Sequence, residues 1–258
     1  MIKPCIVVPV YDHEGAIAGT VAGLKRFGLR CYLVDDGSHA ACADVLDELA
    51  AREADWIRLL RHPQNTGKGA AVMTGCAAAQ ADGFTHAIQV DSDGQHDLDD
   101  LPKLLALAAS NPRALVTGTP VYDASVPKSR LYGRYVTHVW VWINTLSLEI
   151  RDSMCGFRVY PIAEFLDVWR STYVSRRMAF DSEIMVRLYW RNVPVLQLPT
   201  RVTYPADGVS HFDLLWDNVR ITFATTRLAI GMLLRLPWLL PRAIARALAH
   251  RRGRELLA

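Results

Sequence analysis

Ala87-Ile88-Gln89-Val90-Asp91-Ser92-Asp93-Gly94-Gln95-His96 is the stretch around which the sequence is organised. A short apolar run ends abruptly in Asp91 and Asp93, which are followed by glycine, glutamine and histidine. Because alternate residues of an extended strand end point the same way, the two carboxylates are expected to converge. Together with the Gln95 amide they form an oxygen-rich set that suits a hard divalent cation, whose other partners are usually water and phosphate. Asp, Ser and Gly also end strands in simple turns, so this stretch alone leaves a turn and a metal site open.

Strands alternate with helices around this stretch. Apolar runs at 5–10, 31–34, 56–60, 87–90 and 114–118 predict strands, and the segments 16–27, 44–53, 65–80 and 98–109 have helical patterns. This alternation predicts an α/β fold with a Rossmann-like, mostly parallel sheet covered by helices on both faces. Ligands of such sheets bind beyond the carboxyl ends of the strands. Asp35-Asp36, Asn65 to Lys68 and Asp91 to His96 all follow strands at that edge, which favours the metal site over the turn.

Composition limits the class of protein. The 258 residues are 51% hydrophobic and 21% charged, which is typical of a globular chain with a large core. A formal net charge of +3 gives no indication of nucleic-acid binding. The five cysteines are scattered and lack C-x-x-C spacing, which favours buried thiols in a reducing compartment over disulfides or a zinc site. No signal-peptide pattern precedes the first strand, so a cytoplasmic location is expected.

The second half of the chain has a different pattern. A polar loop at 120–128 precedes an apolar, aromatic stretch at 135–150, and a compact polar loop follows at 152–158. Phe180 is predicted to open a helix that ends at Trp190, and 193–202 has strand character. Residues 214–240 form a long apolar segment, predicted to be a helix broken at Pro237 and Pro241.

Five motifs in order resemble a known family: Val7-Val8-Pro9-Val10-Tyr11, Asp35-Asp36-Gly37-Ser38, Asn65-Thr66-Gly67-Lys68-Gly69, Asp91-Ser92-Asp93-Gly94-Gln95-His96 and Gly156-Phe157-Arg158. They are similar to those of inverting family 2 glycosyltransferases of the GT-A fold, and most similar to the dolichyl-phosphate mannose synthase branch, which transfers sugars to polyprenyl phosphates. The resemblance covers roughly residues 6–204. It implies a catalytic domain at 1–212, divided into a nucleotide-sugar half (1–118) and an acceptor half (119–212), followed by an amphipathic, membrane-associating helical segment at 213–258.

The resemblance implies roles for the residues of the donor site. Asp36 would bond the base or the ribose, although a turn or helix cap is an alternative for Asp35 and Asp36. Lys68 would approach the diphosphate, aided by backbone N–H groups and the helix dipole, or would simply be an exposed loop lysine. The expected nucleotide-sugar contacts are Pro9, Tyr11, Glu14, Asp36, Gly67, Lys68, Asp91 and Ser92.

The resemblance also assigns the metal and the catalytic carboxylate. Asp93 and Gln95, with Asp91, would hold Mg²⁺ or Mn²⁺, while His96 would contact the substrate or have a structural role. Asp181 would act as general base towards a hydroxyl acceptor, or position groups for an acceptor that is already ionised. Asp152 is a rival for either role, and Asp181 could instead cap the helix that follows it.

The resemblance implies that arginines bind the acceptor phosphate, because the planar guanidinium can donate two hydrogen bonds to it. The expected residues are Arg130, Arg134 and Arg158, with arginines on a solvated helix face as the alternative. The chain departs from the usual strand-end Gly-Ser-Arg, which here reads Gly118-Thr119-Pro120.

The apolar segment 228–240 is interrupted by Arg235 and Pro237. A spanning helix needs roughly 20 apolar residues, so an interfacial segment is predicted, with its arginines facing anionic headgroups. Trp140 and Trp142 would provide a second contact at the same interface. The alternatives are that both segments cover the core or form an oligomer interface.

These expectations together describe a metal-dependent inverting glycosyltransferase. It would be peripheral at the cytoplasmic face of the inner membrane and move a sugar from a UDP- or GDP-sugar to a lipid, expected to be a polyprenyl phosphate. Transfer to a hydroxyl of another lipid, a pigment or a cell-envelope glycan is an alternative. A nucleotidyltransferase would need a Gly-rich basic loop after the first strand, and a non-catalytic sugar-nucleotide-binding membrane protein would not need the metal ligands.

Overall fold

The computed structural model describes residues 1–122, 126, 128–203 and 216–255. Over these residues the chain forms one seven-stranded sheet with the order β3-β2-β1-β4-β6-β5-β7. The predicted, mostly parallel α/β architecture is confirmed. The strands are β1 (Pro4–Val10), β2 (Cys31–Asp35), β3 (Ile57–Arg61), β4 (His86–Gln89), β5 (Leu115–Tyr122), β6 (Arg158–Pro161) and β7 (Val195–Val202).

Helices cover both faces of this sheet, as predicted. Strand β1 shows why its apolar run is continuous: Cys5 and Val7 pack into one core, while Ile6 and Val8 pack into the other. Helices α1, α2 and α4 bury their apolar residues in the second core, and α3, α5, α6, α7 and α8 in the first. The helices are α1 (Glu14–Lys25), α2 (Ala40–Arg52), α3 (Lys68–Ala81), α4 (Leu101–Ser110, after a 3-10 turn at Leu98–Asp100), α5 (Lys128–Thr145), α6 (Ile162–Ser171), α7 (Phe180–Trp190) and α8 (Trp216–Glu255).

Strand β6 runs antiparallel to both of its neighbours, β4 and β5. Its first residue, Arg158, therefore pairs with Gln89, the last residue of β4. This reversal brings the loop that precedes β6 to the carboxyl edge of the parallel strands. The 152–157 loop consequently meets the residues that follow β4.

Helix α8 corrects one prediction, because it is continuous through Pro237 and Pro241. Each proline removes one helical N–H and crowds a carbonyl one turn earlier. Tertiary contacts next to the prolines offset this cost, because Leu239 is buried and Arg242 donates to the carbonyl oxygen of Trp190. The predicted start of this helix at Leu214 and the boundary at 212–213 lie outside the described residues.

The continuity of α8 also removes the argument that its apolar pieces are too short to span a membrane. Within the described part of the chain, the stretch 216–246 is long enough and apolar enough to cross a membrane, judged by length and composition alone. Only 17% of its most apolar 18 residues are buried. Helix α6 has no counterpart among the predictions, whereas α7 has the predicted limits.

Candidate active site

Lys68 joins two carboxylates from distant parts of the chain. Its Nζ lies 2.9 Å from Oδ1 of Asp91 and 2.9 Å from Oδ2 of Asp181. Burial disfavours the charged form of Lys68, but the nearby Asp181 and Asp91 carboxylates outweigh it and raise the Lys68 pKa. The structure therefore brings together three residues that the sequence suggested separately.

Asp91 lies in a tightly packed setting. Burial opposes its charge, but Lys68 and His96 outweigh burial and lower the pKa of Asp91. The Nε2 of Gln89 donates to Asp91 Oδ1 at 3.2 Å. A Cβ atom on Gly156 would lie 2.1 Å from Asp91 Oδ2, so any larger residue there would force the Asp91 carboxylate out of this position. Sequence reasoning missed Gln89, although it is a polar residue in an otherwise apolar strand.

His96 stacks on Phe157, with ring centroids 5.2 Å apart. Its Nε2 is 3.5 Å from Asp91 Oδ2, which is too long for a well-formed hydrogen bond. His96 therefore fixes the chain beside Asp91 mainly through ring packing.

Asp36 holds the loop before α3. Its Oδ1 accepts from the Thr66 backbone N–H at 3.0 Å and from Thr66 Oγ1, and lies 2.7 Å from His62 Nδ1, while Oδ2 accepts from the Gly67 N–H at 2.7 Å. A carboxylate offers about four acceptor positions, and three of these contacts fall on Oδ1 but one on Oδ2. Because Asp36 is buried, a nucleotide base or ribose could bond it only through the remaining position on Oδ2 or by displacing one of these groups.

The backbone N–H groups of this loop are largely occupied. Gly67 donates to Asp36, and Gly69 donates to the carbonyl oxygen of Arg176 at 2.7 Å. Gly67 has a φ of +104°, and an added Cβ would lie 2.3 Å from the same Arg176 oxygen, so glycine is required there. The contact of this loop with a phosphate stays a prediction, and Lys68 is its charged side chain. Arg176, which sequence reasoning missed, sets the position of the loop.

The Asp-x-Asp stretch differs from its prediction in local structure. Strand β4 ends at Gln89, and residues 92–94 form a turn, so the alternation of an extended strand does not orient Asp91 and Asp93. Asp93 Oδ1 accepts from the Gln95 backbone N–H at 3.1 Å. Among the described residues, no three His, Cys, Asp or Glu side chains are grouped to hold a metal ion. Asp93 and Gln95 are half-buried and offer hard oxygen donors, which fits a cation whose shell is completed by water and phosphate.

Asp152 forms a saturated ion pair. Its two oxygens accept from Nε and Nη2 of Arg134 at 2.5 and 2.8 Å, and Oδ1 also accepts from the N–H groups of Met154 and Cys155. Burial opposes the charge, but His138 and Arg134 outweigh it and lower the pKa of Asp152. A paired carboxylate with a lowered pKa is a poor proton acceptor, so the geometry gives Asp152 a structural role and not that of a base.

Arg158 is fully buried, contrary to its predicted contact with the acceptor. Its guanidinium donates to the carbonyl oxygens of Cys155, Ser153 and Asp181 at 2.6 to 2.7 Å. These bonds hold the 152–157 loop against α7 and leave no exposed donor for a ligand. The side chain of Arg130 lies outside the described residues.

The remaining residues predicted to contact the nucleotide-sugar lie within or just after β1 and β4. Pro9 is buried within β1, Tyr11 is half-buried just beyond it, and Glu14 is exposed at the start of α1. Asp12 tethers the loops after β1 and β2, because its Oδ1 accepts from the His39 N–H at 2.8 Å. The Ser92 side chain is buried, so it lies beneath the site surface.

The family model of glycosyl transferase family 2 matches residues 5–165. The chain belongs to glycosyl transferase family 2. The predicted family is therefore confirmed. The match includes Lys68, Asp91, Asp93 and Asp152, whereas Asp181 lies beyond it.

Several characterised relatives are similar to this chain. A dolichyl-phosphate beta-glucosyltransferase of Trichomonas vaginalis is 28% identical over 213 residues, which are 75% of this chain and 61% of that protein. The chain thus spans less than two thirds of the length of this relative. A UDP-N-acetylglucosamine–dolichyl-phosphate N-acetylglucosaminyltransferase of Methanococcus voltae is 22% identical and covers 89% of this chain and 97% of its own length. The polyprenol monophosphomannose synthase of Mycolicibacterium smegmatis is 23% identical, with 81% and 80% covered.

Solved structures share the fold. Glucosyl-3-phosphoglycerate synthase from Mycobacterium tuberculosis superposes with a TM-score of 0.63 at 16% identity, covering 90% of this chain and 79% of that one. Staphylococcus aureus TarS 1–349 superposes with a TM-score of 0.60 at 15% identity, covering 90% and 66%. The chain has the predicted GT-A fold.

Proposed function

We propose that this glycosyltransferase moves a sugar from a UDP- or GDP-sugar to a polyprenyl phosphate, in one displacement that inverts the anomeric centre. The observation that carries the proposal is Lys68 Nζ, held between Asp91 and Asp181 at the carboxyl edge of the sheet. A lysine fixed at such an edge suits a diphosphate, because ligands of these sheets bind there. The relatives named for dolichyl-phosphate and polyprenol substrates support the acceptor class.

The residues at the site divide the work of the reaction. The Lys68 charge opposes the negative charge that develops on the diphosphate as the sugar leaves. A phosphate acceptor is already ionised and needs no general base, so Asp181 holds Lys68 in position. Arg134 uses Nε and Nη2 for Asp152, and its Nη1 would bind the acceptor phosphate.

Mg²⁺ or Mn²⁺ would be held by Asp93 and Gln95, with Asp91 beside them. Asp93 and Gln95 are half-buried, so their side chains are partly accessible to a ligand, whereas Asp91 is engaged by Lys68. When bound, such an ion stabilises charge on the diphosphate. Asp93 and Gln95 would orient the ion, and Gln89 and Gly156 keep Asp91 in place next to it.

One observation favours a hydroxyl acceptor as a second candidate. Asp181 Oδ1 is buried and has no hydrogen-bond partner among the described residues; Arg158 Nη1 lies 3.8 Å from it, and Lys68 bonds the other oxygen, Oδ2. A free carboxylate oxygen can take a proton from an attacking hydroxyl. The acceptor would then be a lipid, pigment or envelope glycan alcohol.

We also propose that the protein works at a membrane surface, with α5 and α8 against the lipid. Both helices carry exposed apolar side chains, and the two helices pack on each other. On α8, the arginines from Arg235 onward would face anionic headgroups. A position at the cytoplasmic face agrees with five free, buried cysteines. The exposed apolar residues of the two helices include Tyr135, Val136, Trp140, Phe223, Ile230, Leu234 and Trp238.

The test is a screen of UDP- and GDP-sugars with Mn²⁺ or Mg²⁺ and two acceptors, a polyprenyl phosphate and its free alcohol. Transfer to the phosphate alone supports the proposal, and transfer to the alcohol alone favours the second candidate. Asp93→Ala is expected to abolish metal-stimulated turnover, while the exposed Asp99→Ala is the matched control. Asp181→Asn should leave the rate with the phosphate acceptor within about tenfold, but lower the rate with the alcohol by at least 100-fold.

Binding without turnover for every donor would indicate a non-catalytic sugar-nucleotide protein and contradict the proposal. Membrane association has its own measurement, which is sedimentation with anionic liposomes at low salt. Release by high salt, or by deletion of residues 236–258, is the expected result. Full solubility beside such liposomes would contradict the membrane part alone.

A further inference from the structure

A cavity of about 420 Å³ lies where the end of α7 meets the proline-containing segment of α8. We call it the arginine–tryptophan pocket. It lies at the opposite end of α7 from Asp181, about 14 Å away along the helix axis at 1.5 Å per residue. The pocket is therefore separate from the donor site. Its lining residues are Trp190, Leu234, Arg235, Trp238, Leu239 and Arg242.

The pocket carries positive charge without a matching carboxylate. Among the described residues, neither Arg235 nor Arg242 has an acidic side chain within 4.0 Å, whereas Arg220 and Arg227 of the same helix are paired with Asp217 and Glu183. Helix α8 as a whole has eight arginines against two acidic residues. A partly buried cation without a counter-ion favours an anionic ligand.

Arg235 is held in place but keeps free donors. Its guanidinium lies over the Trp190 ring at 4.8 Å from the centroid, and Nη1 donates to the Gly231 carbonyl at 3.0 Å. Arg242 is fixed by bonds to the Trp190 carbonyl and to Asn192 Oδ1. The planar Arg235 guanidinium can thus present its remaining N–H groups to a phosphate without first losing side-chain freedom.

Apolar side chains surround the opening of the pocket. Trp238 is 67% exposed and Leu234 is 70% exposed. Exposed tryptophan and leucine beside arginine are typical of the headgroup level of a bilayer, where the ring lies between the apolar and the wet layers. A ligand that would bind both the arginines and the exposed apolar side chains has a phosphate attached to acyl chains.

We propose that the arginine–tryptophan pocket binds the phosphate of an anionic phospholipid in the membrane on which the enzyme works. The proposal rests on the membrane association proposed above. It places a lipid-phosphate site on α8, away from the acceptor phosphate that takes part in transfer. Bound lipid would fix the orientation of α8 on the membrane.

The experiment uses the full chain and vesicles of phosphatidylcholine with or without phosphatidylglycerol, and measures binding by co-sedimentation. Arg235→Gln should weaken binding to phosphatidylglycerol vesicles by about tenfold. Arg235→Lys keeps the charge but loses the planar pair of donors, so it should give an intermediate loss. The matched control is Arg220→Gln, which lies about 22 Å away along α8, more than two Debye lengths at physiological salt, and should lose less than twofold.

Equal losses in Arg235→Gln and Arg220→Gln would show diffuse attraction and overturn the pocket. A second arm titrates the vesicle-free protein with inorganic phosphate, followed by tryptophan fluorescence. Saturation by free phosphate at micromolar concentration would overturn the lipid source, whereas no response below millimolar concentration supports it. Vesicle binding does not depend on turnover, so a protein that binds vesicles but transfers no sugar would contradict the proposed function and leave the pocket standing.

Discussion

Glu183 offers a sharp test of how α8 is held to α7. It lies two residues after Asp181 and is fully buried. Its oxygens are 2.7 Å from Arg187 Nη2 and 2.6 Å from Arg227 Nη2 of α8, and Oε2 also accepts from the Ser175 N–H at 3.0 Å. Glu183→Gln keeps the shape of the side chain and leaves both arginines without their counter-ion.

The expected cost follows from burial. Removing one member of a buried pair typically costs about 3–5 kcal/mol. The lower end applies here, because the Arg227 side chain is 37% exposed and can turn to water. We therefore expect Glu183→Gln to lower the free energy of unfolding by about 3 kcal/mol. Arg227→Gln leaves Glu183 with Arg187 and Ser175 and should cost about 1.5 kcal/mol, typical of one charge-assisted hydrogen bond.

The assay is urea unfolding of the full chain, followed by near-UV circular dichroism. Because the two side chains are in contact, the double variant should cost less than the sum of the single variants by about 1 kcal/mol. Glu164→Gln, which removes a long surface contact to Arg113 at 3.6 Å, is the control and should change stability by less than about 0.5 kcal/mol. Strictly additive costs, or an unchanged stability of Glu183→Gln, would refute the tie between α7 and α8.

The same carboxylate gives a pH dependence with a definite sign. Burial opposes the charge on Glu183, but Arg227, Ser175 and Arg187 outweigh it and lower its pKa. A carboxylate with a lowered pKa in the folded state stabilises the fold above its unfolded pKa, about 4.3. This contribution is lost as the pH falls from there through the folded pKa. Glu183→Gln should lack this part of the acid destabilisation.

Three further predictions concern the site and the core. Gly156→Ala should lower activity at least 100-fold, because the added Cβ would meet Asp91. The control is Gly133→Ala, whose Cβ would have no atom within 4 Å and which should stay active. Equal activities of the two variants would contradict the close packing of Gly156 against Asp91. Lys68→Met should raise the pKa of Asp91, which NMR titration of the Asp91 carboxyl carbon measures. An unchanged Asp91 pKa would contradict the contact between Lys68 and Asp91. Burial raises the pKa of the Cys5 and Cys155 thiols to about 12, and all five cysteines are buried. A thiol reagent at pH 8 should therefore label the protein only after it unfolds. Rapid labelling of the folded protein would contradict these buried positions.

Much of the fold could be predicted because its determinants are local. Strands β1, β2 and β4 are short, mostly apolar runs that are buried on both faces, and such runs predict parallel strands without knowledge of their partners. The motif residues that follow these strands lie at the carboxyl edge because parallel strands share it. Lys68, Asp91 and Asp93 were therefore identified from the sequence, although their contacts were not.

The sequence did not reveal which distant groups meet at that edge. The direction of β6 depends on pairing with β4 and β5, and only that reversal brings Gly156 against Asp91 and Arg158 behind Asp181. Asp152 and Asp36 are carboxylates, a residue type common in catalytic and binding sites. However, Arg134 bonds the oxygens of Asp152, and the loop at 62–67 bonds those of Asp36.

Local rules also failed at Pro237, where the sequence predicted a break in α8. A proline removes one N–H and crowds one carbonyl, a cost that local rules count in full. Packing of Leu239 in the core and the bonds from Arg242 to the end of α7 offset that cost, and the helix continues. The sequence alone determined six of the seven strands along the chain, the family and the edge at which the predicted site residues lie. Side-chain partners, the state of each carboxylate and the continuity of α8 arose only from tertiary contacts, because they depend on residues that lie tens of positions apart.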